Sequence, residues 1–326
     1  MAISTSGIIL FASVVSPSVS SSKSNMAIVT GAAGFIGSNL VSRLSGDSKI
    51  LAIDNLHTGN VANLKDSIST GNVEFVEKDA SEILTVGKEA DTVYHLGFYS
   101  ASPMYRDNPL RVSEIVKGII SVMEYARKND SRVVFSSTSS IYNGIEPPHR
   151  EDIIPGVTDF YTEARIASER ISELYSGLYG LDVSAMRFFS VYGEHEEYKK
   201  TYANLVTQFY WDMRKGESPV IYGDGEQKRD FVYVGDVVNA LVLAAEKNRG
   251  FNVYNVGYGK NYTLNEMVGK LNGLLGTSIK PNYIEMPVKN YVMETLADTT
   301  KAAEKIGFRA GVSLDQGLLK LKEYYK

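Results

Sequence analysis

The chain has 326 residues, 44% of them hydrophobic, enough to bury one large core or two ordinary ones. Its 34 basic residues stand against 38 acidic ones, a formal charge of −4 that argues against non-specific nucleic-acid binding. The absence of cysteine excludes a disulfide framework, a thiolate nucleophile and a Cys-based zinc site; the four histidines, His57, His95, His149 and His195, never fall at i, i+4 spacing, so no metal site is expected.

Residues 1–25 hold an apolar run, SGIILFASVV, followed by SPSVSSSKS. The run lacks a basic n-region and, at about ten residues, is too short to span a bilayer. Met26 stands where a first strand would begin, so an alternative start there is preferred over targeting. Residues 1–25 are expected to lie outside the fold, and the body to be soluble, cytoplasmic and free of membrane contact.

From Met26 the runs MAIVT, KILAID, VEFVEKD, DTVYHL, RVVFSS and DVSAMRF are short, rich in apolar residues and buried-looking on both faces, as parallel strands read. Helical stretches separate them, among them GSNLVSRLSG, VSEIVKGIISVMEYARKN and TEARIASERISELYSGLYG. This alternation predicts a Rossmann-type α/β fold, a doubly wound parallel sheet over residues 26–192. Beyond Tyr192 the pieces shorten: a helix over YANLVTQFYWDMRKG, strands PVIYG and DFVYV, a helix DVVNALVLAAEK, a strand FNVYNVG and two further helices. Thr263 and Glu266 form a capping-box pattern at the start of one of them. Residues 193–326 are expected to form mainly a smaller substrate-binding lobe at the carboxyl ends of the sheet, with some segments returning to it.

Chemistry concentrates at those strand ends. Gly31, Gly34 and Gly37 follow the first strand and open a helix, a place where backbone approaches closely and free amides meet a pyrophosphate. Asp54 ends the second strand about 20 residues later, where a carboxylate accepts ribose hydroxyls and repels a 2′-phosphate, which favours NAD over NADP. Asp79 ends the third strand and is open to two readings, a partner for the adenine amino group or a solvated charge. Tyr161 and Arg165 share one helix face, with Ser136 and Thr138 at the same rim. A hydroxyl, a phenol and a fixed cation suit removal of a carbinol proton coupled to hydride transfer.

From Met26 onward the chain resembles the extended short-chain dehydrogenase/reductase family, and within it the nucleotide-sugar 4-epimerases of the UDP-glucose/UDP-galactose type. The stretches that carry the resemblance are TGAAGFIGSNL, AIDNLHTGN, KDA, YHLG, FSSTSSIY, YTEAR, MRFFSVYG and IYGDGEQKRDFVYVGDVVNAL. The resemblance implies NAD held by the glycine turn with Phe35 and Ile36, by Asp54, Asn55, Asp79, Ala80, Leu96, Gly97 and Ser136, and at the nicotinamide end by Phe189, Tyr161 and Arg165. It implies that Thr138 and Tyr161 act on the sugar, and that Ser190, Asn204, Leu205, Val220, Tyr222 and Arg229 contact a UDP-sugar. It also implies a homodimer paired through the helices over VSEIVKGIISVMEYARKN and YTEARIASERISELY.

The departures are specific. Arg165 replaces the family's lysine, HLGF replaces HLAA, Ile115 and Ser190 replace asparagines, and Val288, with Lys289 beside it, falls where a second diphosphate arginine belongs. A cation about 5 Å from a phenolate, at an effective dielectric of about 20, contributes roughly 3 kcal/mol, and arginine supplies that charge as lysine does. Family dehydratases carry an Asp-Glu pair after the hydroxyl residue and decarboxylases a glutamate at the second position; here Ser139 and Ser140 follow Thr138. The favoured reading is a 4-epimerase. The alternatives are a 4-keto reductase, decarboxylase or synthase on the same scaffold, or an NAD-binding protein that has lost its reaction.

Overall fold

The computed structural model describes residues 25–156, 158–286 and 291–326. Residues 1–24, and with them nearly all of the N-terminal extension, lie outside the described residues, as do Val288 and Lys289. The first half runs β1 (Met26–Thr30), α1 (Phe35–Leu44), β2 (Lys49–Asp54), α2 (Lys65–Ser69), β3 (Val73–Glu77), β4 (Thr92–His95), α3 (Ser102–Asp107), α4 (Arg111–Asn129), β5 (Arg132–Thr138), α5 (Phe160–Tyr179) and β6 (Val183–Phe188). The second half runs β7 (Ser190–Tyr192), α6 (Leu205–Arg214), β8 (Val220–Tyr222), β9 (Lys228–Tyr233), α7 (Val234–Lys247), β10 (Phe251–Val256), β11 (Asn261–Thr263), α8 (Leu264–Leu275), β12 (Asn282–Ile284), α9 (Thr300–Ile306) and α10 (Leu314–Tyr324).

Seven strands form one sheet in the order β10-β6-β5-β4-β1-β2-β3, and every pairing in it is parallel. Both faces are covered, which is why the strands are apolar on both sides. One face packs Val29, Leu40, Val41, Val237, Leu241 and Ile306 together; the other packs Ile28, Val93, Ile119, Val122, Met123 and Phe135. A separate core holds the lobe, from Val206, Phe209 and Tyr210 of α6 to Leu314, Leu318 and Leu321 of α10. Among the described residues no helix is long and apolar enough to cross a membrane.

Caps explain where the helices begin. The predicted box at α8 forms, with Glu266 N–H donating to Thr263 Oγ1 at 2.9 Å and Thr263 N–H to Glu266 Oε2 at 2.8 Å. Asp159 does the same for α5, and the helix ends on Gly180 in a left-handed conformation.

The second half is woven more closely into the first than its rhythm suggests. FNVYNVG, as β10, pairs with β6 as the edge of the main sheet, and α7 packs beside α1 on the sheet's face. Among the described residues three helices follow β10, not two, because the seven-residue α9 is too short to show a periodic pattern. Asp230 on β9 pins the junction: fully buried, it accepts N–H groups from Tyr258, Gly259 and Ala297 at 2.7–3.0 Å. A Cβ on Gly257 would come within 2.6 Å of Ala297 Cβ, so only glycine lets these segments meet.

Burial pushes the Asp230 carboxyl up to about 6, against the lowering effect of its three backbone donors. The folded state therefore binds this proton more tightly than the unfolded chain, and the stability so gained is full below about pH 4 and lost as pH rises through about 6. Asp230→Asn sets an amide N–H against a backbone donor and is expected to cost about 1–3 kcal/mol. In denaturant unfolding between pH 4 and 7, the parent's margin over the variant is expected to shrink as pH rises; a margin that grows contradicts the assignment.

Candidate active site

The parallel strands deliver their carboxyl ends to one edge, and there a cleft of about 920 Å³ opens between sheet and lobe. At its β1 end Gly31 takes φ +67°, and a Cβ there would sit 2.6 Å from the Leu96 carbonyl carbon. Gly37 lies so close to the Gly31 carbonyl oxygen that a Cβ would reach within 2.0 Å of it, so helix and strand meet only as glycines. Gly34 precedes α1 and no side chain caps that helix, leaving its amides and partial positive charge directed at the cleft beside Phe35 and Ile36.

Asp54 is tied into this turn, its Oδ2 accepting the Ala33 N–H at 2.9 Å and its Oδ1 the Leu56 N–H at 2.7 Å. Burial raises its pKa while those backbone donors oppose the rise. Asn55 Nδ2 donates to Asp79 Oδ2 at 3.0 Å, and Asp79 also caps the 3-10 helix at Ala80–Thr85, reciprocally with Glu82. Asp79 is thus a helix cap on the cleft wall, a role its spacing to Glu82 already spelled out. Ala80, Leu96 and Gly97 line the same end, and Gly97 N–H donates to Thr30 Oγ1 at 3.2 Å.

At the middle of the cleft Ser136, Ser137 and Thr138 of β5 all contribute to the lining, with the Ser137 hydroxyl donating to Glu169 Oε1 at 2.6 Å. Glu169 is neutralised by Arg187 through bonds of 3.0 and 2.7 Å. Thr138 Oγ1 accepts the Ser140 N–H at 3.1 Å, which leaves its own proton to donate. Tyr161 and Arg165 line the cleft from α5, with the guanidinium carbon 5.0 Å from the tyrosine ring.

Arg165 is only 3% exposed. Its Nη2 donates to the Tyr99 carbonyl at 3.0 Å and its guanidinium carbon lies 4.0 Å from the Phe98 ring centroid, but Nε and Nη1 are buried and bond to nothing among the described residues. Burial, then Arg165 itself, pushes nearby His95 down to about 3, so this histidine stays neutral and leaves the guanidinium's charge unshared.

Phe189, Ser190, Asn204 and Arg229 line the far end. Asn204 caps α6 through the Val206 N–H at 3.0 Å. Arg229 donates to the carbonyls of Lys228 at 2.8 Å, Met293 at 3.3 Å and Val292, beneath the Tyr291 ring at 5.2 Å. Three residues expected here stand outside the lining: Leu205 packs on the lobe core, Val220 is exposed, and Tyr222 reaches the site only through Tyr291, 6.3 Å away. Sequence reasoning missed Tyr291, Phe98 and Lys199, whose ammonium meets Glu196 at 3.2 Å and the Phe35 ring at 5.0 Å. Of these only Phe98 left a signal, the altered HLGF.

A dinucleotide fits this cleft: the glycine turn leaves space, the α1 amides are open, and Arg165 keeps two buried donors unused. Asp54→Asn is expected to weaken NAD binding by about tenfold and to narrow its lead over NADP, as calorimetry on both nucleotides would show.

Comparisons with known proteins agree with this geometry. A family model described as the NAD dependent epimerase/dehydratase family matches residues 27–257. The chain is 32% identical over 308 residues to a protein named putative UDP-glucose 4-epimerase in Methanocaldococcus jannaschii, covering 92% of this chain and 98% of that one. It is similar to the crystal structure of UDP-glucose 4-epimerase with UDP-glucose from Thermotoga maritima, at a TM-score of 0.85 and 32% identity over 92% of this chain and 98% of that one. It is similar too to UDP-N-acetylglucosamine 4-epimerase from Methanobrevibacter ruminantium in complex with UDP-N-acetylmuramic acid, at a TM-score of 0.86 and 30% identity over 93% of this chain and 98% of that one. With the glycine turn, the Asp54 carboxylate and the Tyr161–Arg165 face gathered on one cleft, the chain belongs to the NAD dependent epimerase/dehydratase family.

Proposed function

We propose that this protein is a UDP-hexose 4-epimerase that interconverts UDP-glucose and UDP-galactose, or a related pair, through a 4-keto sugar. The observation that carries the reading is the buried Arg165 guanidinium one helical turn from Tyr161, on the same cleft that Thr138 lines. NAD, when bound, supplies a reversible hydride acceptor. Thr138 donates its hydrogen bond to the sugar O4, Tyr161 takes the O4 proton, and the cation stabilises the resulting phenolate by roughly 3 kcal/mol. Return of the hydride to the opposite face of C4, with the proton going back from Tyr161 to O4, would yield the epimer.

No acid follows Thr138 to divert the ketone: Ser139 and Ser140 come next, and Asp159, which lines the cleft two residues before Tyr161, is engaged by the Thr162 N–H at 2.9 Å and by the Ser102 hydroxyl. Asn204 and Arg229, which line the cleft, are assigned to the nucleotide diphosphate; Leu205, Val220 and Tyr222 belong to the same assignment by resemblance and stand outside the lining. The relatives named for UDP-glucose and UDP-N-acetylglucosamine support a UDP-hexose without choosing the group at C2. A homodimer belongs to the same reading: Leu174 and Leu178 of α5 are 58% and 64% exposed, an apolar face suited to a second copy.

Incubation with a panel of UDP- and dTDP-sugars, followed by NMR of the products, is expected to show a C4 epimer with no net NADH; stoichiometric NADH would sink the epimerase reading. Tyr161→Phe is expected to abolish turnover with NAD still bound. Arg165→Met is expected to lose about a hundredfold in kcat and Arg165→Lys far less. Equal rates for Arg165→Met and the parent would falsify the role given to the cation.

A further inference from the structure

The loop between β7 and α6 leads into the lobe, yet it is fastened to α1. Asn39 Nδ2, on α1, donates to the Glu194 carbonyl at 3.0 Å, and Ser38 Oγ of the same helix meets His195 Nδ1 at 2.7 Å. From the other side the Tyr325 hydroxyl accepts the Glu196 N–H at 3.0 Å, and the Tyr324 and Tyr325 hydroxyls both donate to the Glu197 carboxylate at 3.1 Å. His195 holds φ +71° and Lys200 φ +52°, left-handed values that a non-glycine residue keeps where its surroundings dictate them. The loop is therefore fixed against α1 from two directions.

We infer that Lys199, carried by this loop, is a binding residue: its ammonium, presented at the start of α1, neutralises the pyrophosphate of a bound dinucleotide together with the helix amides. The inference rests on the reading of this cleft as an NAD site.

Glu196 aims the side chain. It is fully buried, and its carboxylate accepts the Asn204 N–H at 2.8 Å, the Thr207 hydroxyl and the Lys199 ammonium at 3.2 Å. Its charge is shared among three donors, while the ammonium keeps two protons with no hydrogen-bond partner among the described residues. Lys199 is 15% exposed, lines the cleft, and sets its Nζ 5.0 Å from the ring of Phe35, the first residue of α1.

Other cations on the lining have other posts. Lys78 donates to Glu82 and Thr85, Arg106 extends from α3, Arg165 lies beside Tyr161, and Arg229 is bonded to carbonyls. At the α1 end the helix start supplies only about half a positive charge, whereas both phosphates of a dinucleotide are negative. Lys199 makes up the difference. As a compact point charge it suits phosphate oxygens in more than one rotation.

The test is binding of NAD, ADP-ribose and UDP, measured by calorimetry at low and high ionic strength on the parent, Lys199→Met and Lys199→Arg. NAD and ADP-ribose are titrated into protein stripped of nucleotide, and UDP into protein loaded with NAD. We expect Lys199→Met to weaken NAD and ADP-ribose alike by about tenfold at low salt, and by less at high salt, because the lost contact is between charges. Lys199→Arg should stay within about threefold of the parent for both, and UDP should bind equally to every variant. Equal NAD affinity for Lys199→Met and the parent would overturn the inference. A loss confined to NAD would also overturn it, by placing the ammonium at the nicotinamide end. So would a loss for UDP as large as that for NAD, which would assign Lys199 to the nucleotide sugar or to the fold of its loop. A parent that binds no NAD would overturn the reading of the site itself.

Discussion

Seven strands running the same way bring seven carboxyl ends, and the starts of the helices that follow them, to one edge of the sheet. That constraint makes the cleft. It sets the uncapped amides of α1, the Asp54 carboxylate, the Thr138 hydroxyl and the first turn of α5 around one space, although together they span more than a hundred residues of the chain. The lobe closes that space from the other side, held by the Asp230 pin where β9, the loop after β10 and the segment at Ala297 converge.

The two buried arginines of this region show how differently the protein treats charge. Arg187 is neutralised by Glu169 and also donates to the Tyr142 hydroxyl at 2.7 Å, so its charge is spent on structure. Among the described residues Arg165 has no carboxylate partner and uses one donor on a carbonyl, while Nε and Nη1 stay unpaired. Leaving buried donors unmade costs on the order of 1–3 kcal/mol each, a penalty that a site for a polar ligand recovers on binding. Phe98 packs against that guanidinium, and His95 beside it stays neutral.

Much of the molecule was legible in the sequence because its signals are local. The apolar strand runs, the glycine turn, Asp54 at a strand end and the Thr263–Glu266 cap are each set within a few residues, and all appear where the pattern placed them. Long-range pairings carried no such signal. β8 pairs with β12, some sixty residues later, and Phe98 meets Arg165 across 67 positions. Leu205, Val220 and Tyr222 were carried by resemblance, and the strap at Tyr291–Met293 now stands between Tyr222 and the cleft and occupies Arg229. Asp79 is the opposite case: Glu82, three residues on, spells out its cap locally.

The account turns on a hydride that leaves C4 of the sugar and comes back to the same carbon. UDP-glucose carrying deuterium at C4 tests this directly, in ordinary water, with the product analysed by NMR and mass spectrometry. The account predicts UDP-galactose that retains the deuterium at C4. Product that has exchanged the label for solvent hydrogen would contradict it.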